Sequence, residues 1–174
     1  MGLSLREAEA KLLSGQIQVC VAGLEAKALA IACLLTGRGI PVIGYDANLK
    51  LVNQLAAGIY GTYEPGLSKN LKAAVKSGRL KATSNLREAA SKSHIIIGFT
   101  GVMPSENHAI DCSALEEFCS ELSLSLKPGS LVIFAGPTFP GVIEEIAKPV
   151  IENTSGLKTG DELGLAYAAF RGRK

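Results

Sequence analysis

Residues 19–32 read VCVAGLEAKALAIA, an apolar run that turns at Gly23 and resumes at helical spacing. About twenty positions further on, Asp46 closes the apolar stretch PVIGYD. A strand, a glycine turn, a helix and a distal acid are the parts of a dinucleotide site. The glycines let backbone approach a pyrophosphate at the helix N-terminus, and the acid receives ribose hydroxyls. Such a turn calls for glycine at 23, 25 and 28, but this chain has Gly23, Glu25 and Ala28. Glu25 brings a side chain and a negative charge to the phosphate position. Two like charges about 4 Å apart cost roughly 1 kcal/mol in water and about 4 kcal/mol at an intermediate dielectric. Ala28 is tolerable, and the stem of Lys27 is expected to run away along the helix. Gly23, Leu24 and Asp46 are therefore read as vestigial cofactor-binding positions. A plain helix-capping role for Asp46 stays open.

Few other residues offer chemistry. Cys20, Cys33, Cys112 and Cys119 form no C-x-x-C pair, and no ligand cluster surrounds His94 or His108, so no metal is expected. Cys20 falls in an apolar strand and Cys33 on an apolar helix face, which predicts buried thiols and a reducing, cytoplasmic setting. Glu64 in YEPGL reads as a helix cap, and Tyr60 and Tyr63 as loop packing or a recognition surface. Glu116, Glu117, Glu144 and Glu145 read as solvated helix faces. The tail RGRK, with Arg171, Arg173 and Lys174, is a frayed end or a contact surface.

The elements that position these residues alternate. Ser4 and Glu7 form a capping box opening a helix over 5–14, stopped by Gly15. Strands are predicted at 17–22, 41–46, 79–84, 94–99, 130–135 and 163–168. Helices lie between them, including one opened by a second capping box at Ser113 and Glu116 and one continuous from Pro140 to about 152. Strands alternating with helices imply a parallel sheet covered on both faces. Six of them fit a doubly wound α/β fold of order 3-2-1-4-5-6.

Bulk properties agree. The chain has 174 residues, enough for one core, with residues 1–16 as a helical extension and 17–174 as the domain. At 47% hydrophobic and 20% charged it is globular, and a net charge of +2 makes no electrostatic claim on nucleic acid or membrane. No apolar run reaches about 18 residues, so no membrane span is expected, and the N-terminus lacks a secretory core.

The segments YEPGL, SGRLKATS, AIDCSALEEF, LKPGSLVI and FPG, following VIGYD in this order, resemble the NAD-binding domain of nucleotide-sugar 6-dehydrogenases. That family comprises the UDP-glucose, GDP-mannose and UDP-N-acetylmannosamine enzymes. The resemblance implies a Rossmann-like fold, NAD as oxidant, and oxidation of a sugar CH2OH to a carboxylate. It also implies a second domain supplying a catalytic Cys and Lys, which these residues do not contain. The family's V-x-T-P is here Thr100-Gly101-Val102-Met103. Its E-S-T-V is Ala135-Gly136-Pro137-Thr138, with Pro137 in place of the cofactor-contacting Thr and Thr138 expected to point elsewhere. Its Y-S-P-E-R is Tyr167-Ala168-Ala169-Phe170-Arg171, with Phe170 in place of the assisting Glu. The departures gather at ligand-facing positions. They lead to the expectation of no bound cofactor, no catalytic residue and a non-catalytic domain acting through protein contacts, by self-association or with an intact paralogue. Two alternatives stay open: a module for a nucleotide without a diphosphate, and one half of a split dehydrogenase.

Overall fold

The computed structural model describes residues 5–60, 65–100, 102 and 111–169. Six parallel strands form one sheet in the order β3-β2-β1-β4-β5-β6. They are β1 Val19–Ala22, β2 Val42–Tyr45, β3 Leu80–Thr83, β4 Ile95–Gly98, β5 Leu131–Phe134 and β6 Gly164–Tyr167. The helices are α1 Leu5–Leu13, α2 Ala26–Gly37, α3 Leu49–Ala56, α4 Pro65–Lys76, α5 Leu86–Ser91, α6 Ser113–Ser123 and α7 Lys148–Ser155. The doubly wound α/β class expected from the alternation is the class observed. Among the described residues no helix is long and apolar enough to cross a membrane.

The two-residue period of each strand divides the core in two. Val19 and Val21 of β1 pack with Leu24, Leu29, Ala32, Leu71 and Leu80 on the α2–α4 side. Cys20 and Ala22 pack with Ile96, Phe118, Val132 and Phe134 on the α5–α6–α7 side. β1 is buried along its whole length, as a central parallel strand must be. α2 buries Ala28, Leu29, Ala32, Cys33 and Thr36, one helical stripe.

Local chemistry differs from expectation at two helices. The N–H and O–H of Ser113 both donate to Asp111 Oδ1, at 2.9 and 2.6 Å, so Asp111 tethers the start of α6 and Ser113 lies inside the helix. The helix expected over 140–152 instead opens with a five-residue π turn, Ile143–Ala147, and becomes α-helical from Lys148 to Ser155. Pro149 has no N–H to donate and its ring crowds the carbonyl four residues earlier. The wider turn passes the chain around that obstruction. The Ser4 box lies outside the described residues.

Chain order sets the position of the site. From β1 the chain winds outward through β2 and β3, then crosses back to β4 on the other flank of β1. The carboxyl ends of β1 and β4 thus form the point where the winding reverses, which is where open α/β sheets take ligands.

Candidate functional site at the carboxyl ends of the strands

Gly23 follows β1 directly and adopts φ 82°, a left-handed conformation that favours glycine. A Cβ there would lie 3.3 Å from the Phe99 carbonyl oxygen, so the turn also needs a small residue to run beside β4. The next residue, Leu24, is buried to 1% exposure, with its side chain over Gly44 of β2. Its backbone N–H points back and donates to Asp46 Oδ2 at 2.8 Å. Asp46 Oδ1 accepts the Asn48 N–H at 2.9 Å, and the Asn48 side chain caps α3 by accepting from Lys50 and Leu51. The glycine turn, the acid after β2 and the start of α3 are therefore one hydrogen-bonded unit. Gly23, Leu24 and Asp46 stand together.

Two cavities flank this unit. The first, about 320 Å³, is lined by Gly23, Tyr45, Asp46, Ala47, Thr100, Ala114, Glu117, Phe118 and Glu121. Thr100 Oγ1 is buried there without a hydrogen-bond partner. The second, about 360 Å³, is lined by Glu25, Ala26, Lys27, Phe99, Ala135, Gly136, Pro137 and Tyr167. Tyr60 packs against the α2-side core close to both acids. Its phenol pKa is raised by burial first, then by Glu25 and Asp46.

Lys27 lines the same cavity as Glu25. Glu117 is exposed, as expected of a solvated helix face, and with Glu121 it also lines the Asp46 cavity from α6. Thr100 lines that cavity with its Oγ1 buried, while Val102, at the family's threonine position, is buried in the core at 2% exposure. Thr138 lines a separate cavity with Phe139 and Glu144 rather than the one beside Pro137, as expected. His94 is exposed just before β4, at the amino end of the strands and so at the opposite end from these cavities. Tyr63, Glu64, His108, Phe170 and the basic tail lie outside the described residues. Among the described residues no group of three or more His, Cys, Asp or Glu is placed to hold a metal ion.

The family model described as "UDP-glucose/GDP-mannose dehydrogenase family, NAD binding domain" matches residues 17–169. The chain belongs to this family. GDP-mannose 6-dehydrogenase of Azotobacter vinelandii is 28% identical over 153 residues, covering 86% of this chain and 35% of the relative. UDP-N-acetyl-D-mannosamine dehydrogenase of Campylobacter jejuni is 32% identical over 147 residues, 84% of this chain and 35% of its own. Among solved structures, the UDP-D-ManNAc dehydrogenase of Pyrococcus horikoshii superposes with a TM-score of 0.83 at 27% identity, over 90% of this chain and 37% of that one. The chain thus spans about a third of the length of the relatives it matches.

These findings overturn the expectation of no cofactor. The matched domain is an NAD-binding one and the relatives are dehydrogenases, so the family points to NAD. The site explains why the glycine count misled. Position 25 has φ −70° and ψ 173°, extended backbone that any residue adopts, so its conformation does not require glycine. Glu25 makes no capping bond to α2, and the first turn of α2 holds no acidic residue. The first-turn N–H groups stay open to an anion, with Lys27 beside them. A single screened repulsion of about 1 kcal/mol does not outweigh those donors. Ala28 is fully buried against the sheet, so the third glycine position still packs closely with a methyl group.

Proposed function

We propose that this chain holds NAD, contributes no proton-transferring group of its own, and acts through contact with a second protein domain. The observation that carries the reading is the bond from the Leu24 N–H to Asp46 Oδ2, which fixes a carboxylate beside the Gly23 turn. Asp46 would hold the adenosine ribose, the Gly23 turn and the start of α2 the diphosphate, and the cavity beyond Glu25 the nicotinamide end. When bound, NAD supplies a hydride acceptor. Around that end the lining residues Phe99, Ala135, Gly136 and Pro137 carry no acid–base side chain, Glu25 and Lys27 belong to the turn, and the Tyr167 phenol stands on the edge strand, 46% exposed to solvent. These residues can position and desolvate a ring, but they offer no base to a sugar alcohol.

The partner domain is part of the proposal. Ile95, Ile97, Leu131 and Ile133 share the sheet face opposite α6, and all four are only half-buried. At the edge Ala166 is exposed, and Tyr167 is 46% exposed. An apolar sheet face left partly open favours a protein contact. Oxidation of a nucleotide sugar, the activity in the relatives' names, would then belong to an assembly larger than this chain. The four free cysteines support a reducing, cytoplasmic setting.

The test is calorimetric titration of NAD and NADH, with a UDP-sugar alongside, combined with an assay for NADH formation. The reading expects dinucleotide binding and no turnover by the purified chain. No heat and no thermal stabilisation at millimolar NAD would refute the binding. NADH formation by the chain alone would refute the claim that it lacks a catalytic group.

A further inference from the structure

Glycine inside a strand weakens it and packs nothing, and it often marks a place where another part of the chain comes close. Gly44 lies within β2, between Val21 of β1 and Ala82 of β3, and is itself buried. The space left by its missing side chain is filled by the turn after β1. A Cβ on Gly44 would lie 2.9 and 3.1 Å from the two δ-methyls of Leu24 and 3.6 Å from its γ-carbon. Exchanging one methyl for the other does not relieve that contact. Leu24, at 1% exposure in the same core as Ala28, Leu29 and Leu55, has no open side to retreat to. The backbone around this anchor carries the site. The Gly23 N–H donates to the Tyr45 carbonyl at 2.9 Å, and the Leu24 N–H donates to Asp46 Oδ2 at 2.8 Å. Three consecutive residues, Gly44, Tyr45 and Asp46, thus seat the turn and bind its two N–H groups.

We propose that Gly44 is a positioning residue for the dinucleotide: the gap it leaves seats Leu24, and that seat holds the turn low enough against β2 for the Leu24 N–H to orient the Asp46 carboxylate. This rests on the reading of Gly23, Leu24 and Asp46 as the cofactor turn. Gly44 lines neither cavity of the site, so it acts only through Leu24. A side chain at position 44 needs an ordinary carbon–carbon separation of about 3.5–4.0 Å, so Leu24 has to rise by roughly 0.5–1 Å. The 2.8 Å bond to Asp46 then stretches past about 3.2 Å, the outer range of N–H···O bonds. A binding group has to be held within about 0.5 Å of its productive place, and the freed carboxylate no longer is.

The experiment compares wild type, Gly44→Ala, Leu24→Val, the double variant and Gly164→Ala, by calorimetric titration of NAD and by hydrogen exchange at the Leu24 amide. Gly164 is the control. It opens β6 at the amino end of the sheet, and a Cβ there would lie 2.7 Å from a Leu131 δ-methyl, the same crowding away from the site. Gly44→Ala should raise the Kd for NAD about tenfold and speed Leu24 exchange by about tenfold or more. Leu24→Val removes one carbon and Gly44→Ala adds one, so the double variant restores the packing. In the Leu24→Val background the same Gly44→Ala change should therefore tighten NAD, to within about threefold of wild type. General destabilisation does not produce that reversal, and it carries the test should Gly44→Ala alone not fold. Gly164→Ala should leave Kd and Leu24 exchange at wild-type values. Wild-type Kd and exchange in Gly44→Ala would overturn the inference. So would equal loss of affinity in Gly164→Ala, or a double variant no better than Leu24→Val. Wild-type protein that binds no NAD overturns the cofactor reading and this inference together, a result distinct from all of these.

Discussion

Replacing Asp46 by alanine removes two hydrogen bonds from the unit on which the site depends. The bond from Leu24 N–H to Oδ2 is 2.8 Å and part-buried, and the bond from Asn48 N–H to Oδ1 is 2.9 Å and exposed. A charge-assisted bond contributes about 1.5–3 kcal/mol when partly shielded, and an exposed one much less. The loss should be about 2 kcal/mol, or a fall in Tm of roughly 4–8 °C for a domain of this size. Dinucleotide affinity should drop further, because the charged acceptor for the ribose goes too. Losing about 1.5–3 kcal/mol there is roughly a 10- to 100-fold rise in Kd for NAD. Asp46→Asn separates the two effects. It keeps one carbonyl acceptor and most of the stability but loses the charge, so its Kd should rise nearly as much. Thermal melts and calorimetry on the three proteins give both numbers. An alanine variant with unchanged Tm would refute the structural role of the Leu24 bond. Unchanged NAD affinity in both variants would refute the assignment of Asp46 to the ribose.

Other expectations follow from the same geometry. Gly156 ends α7 at φ 73° with open space around its Cβ, so Gly156→Ala should cost about 1 kcal/mol from backbone strain alone. Gly66→Ala, in the first turn of α4 with equally open space, should instead stabilise by about 0.5 kcal/mol, and paired melts decide both. Burial pushes the Cys20 and Cys119 thiols up to about 12, so in the native protein a disulfide reagent at about pH 8 should modify Cys112 first and reach those two only on unfolding. The Glu152 carboxylate accepts the Thr159 N–H at 2.8 Å, and that bond holds its pKa below the usual value. A lowered folded pKa means that its contribution is present above the unfolded pKa and is lost as pH falls through the folded one. Between about pH 6 and pH 3, Glu152→Gln should therefore lose less stability than wild type, and equal slopes in the two melts would contradict this.

The sequence by itself determined the strands, their order and the acid after β2. Each of these rests on local pattern: apolar runs of four to six residues, glycine stops, and one glycine turn followed by a helix. The burial of Cys20 and Cys33 was legible for the same reason. The consequence of Glu25 was not. Counting glycines registers what a position has lost, whereas tolerance there depends on an extended φ, an uncapped helix and a nearby Lys27, all of which are spatial. The π turn before Pro149 was equally hidden, since a proline breaks, kinks or widens a helix according to what packs around it. Only the tertiary structure decided that Glu117, Glu121 and Thr100 face Asp46. They stand 54 to 75 positions from it in sequence and meet it because β2 and β4 flank β1 while α6 packs across their ends. Periodicity shows which face of α6 is apolar, but not which strand end its polar residues will oppose.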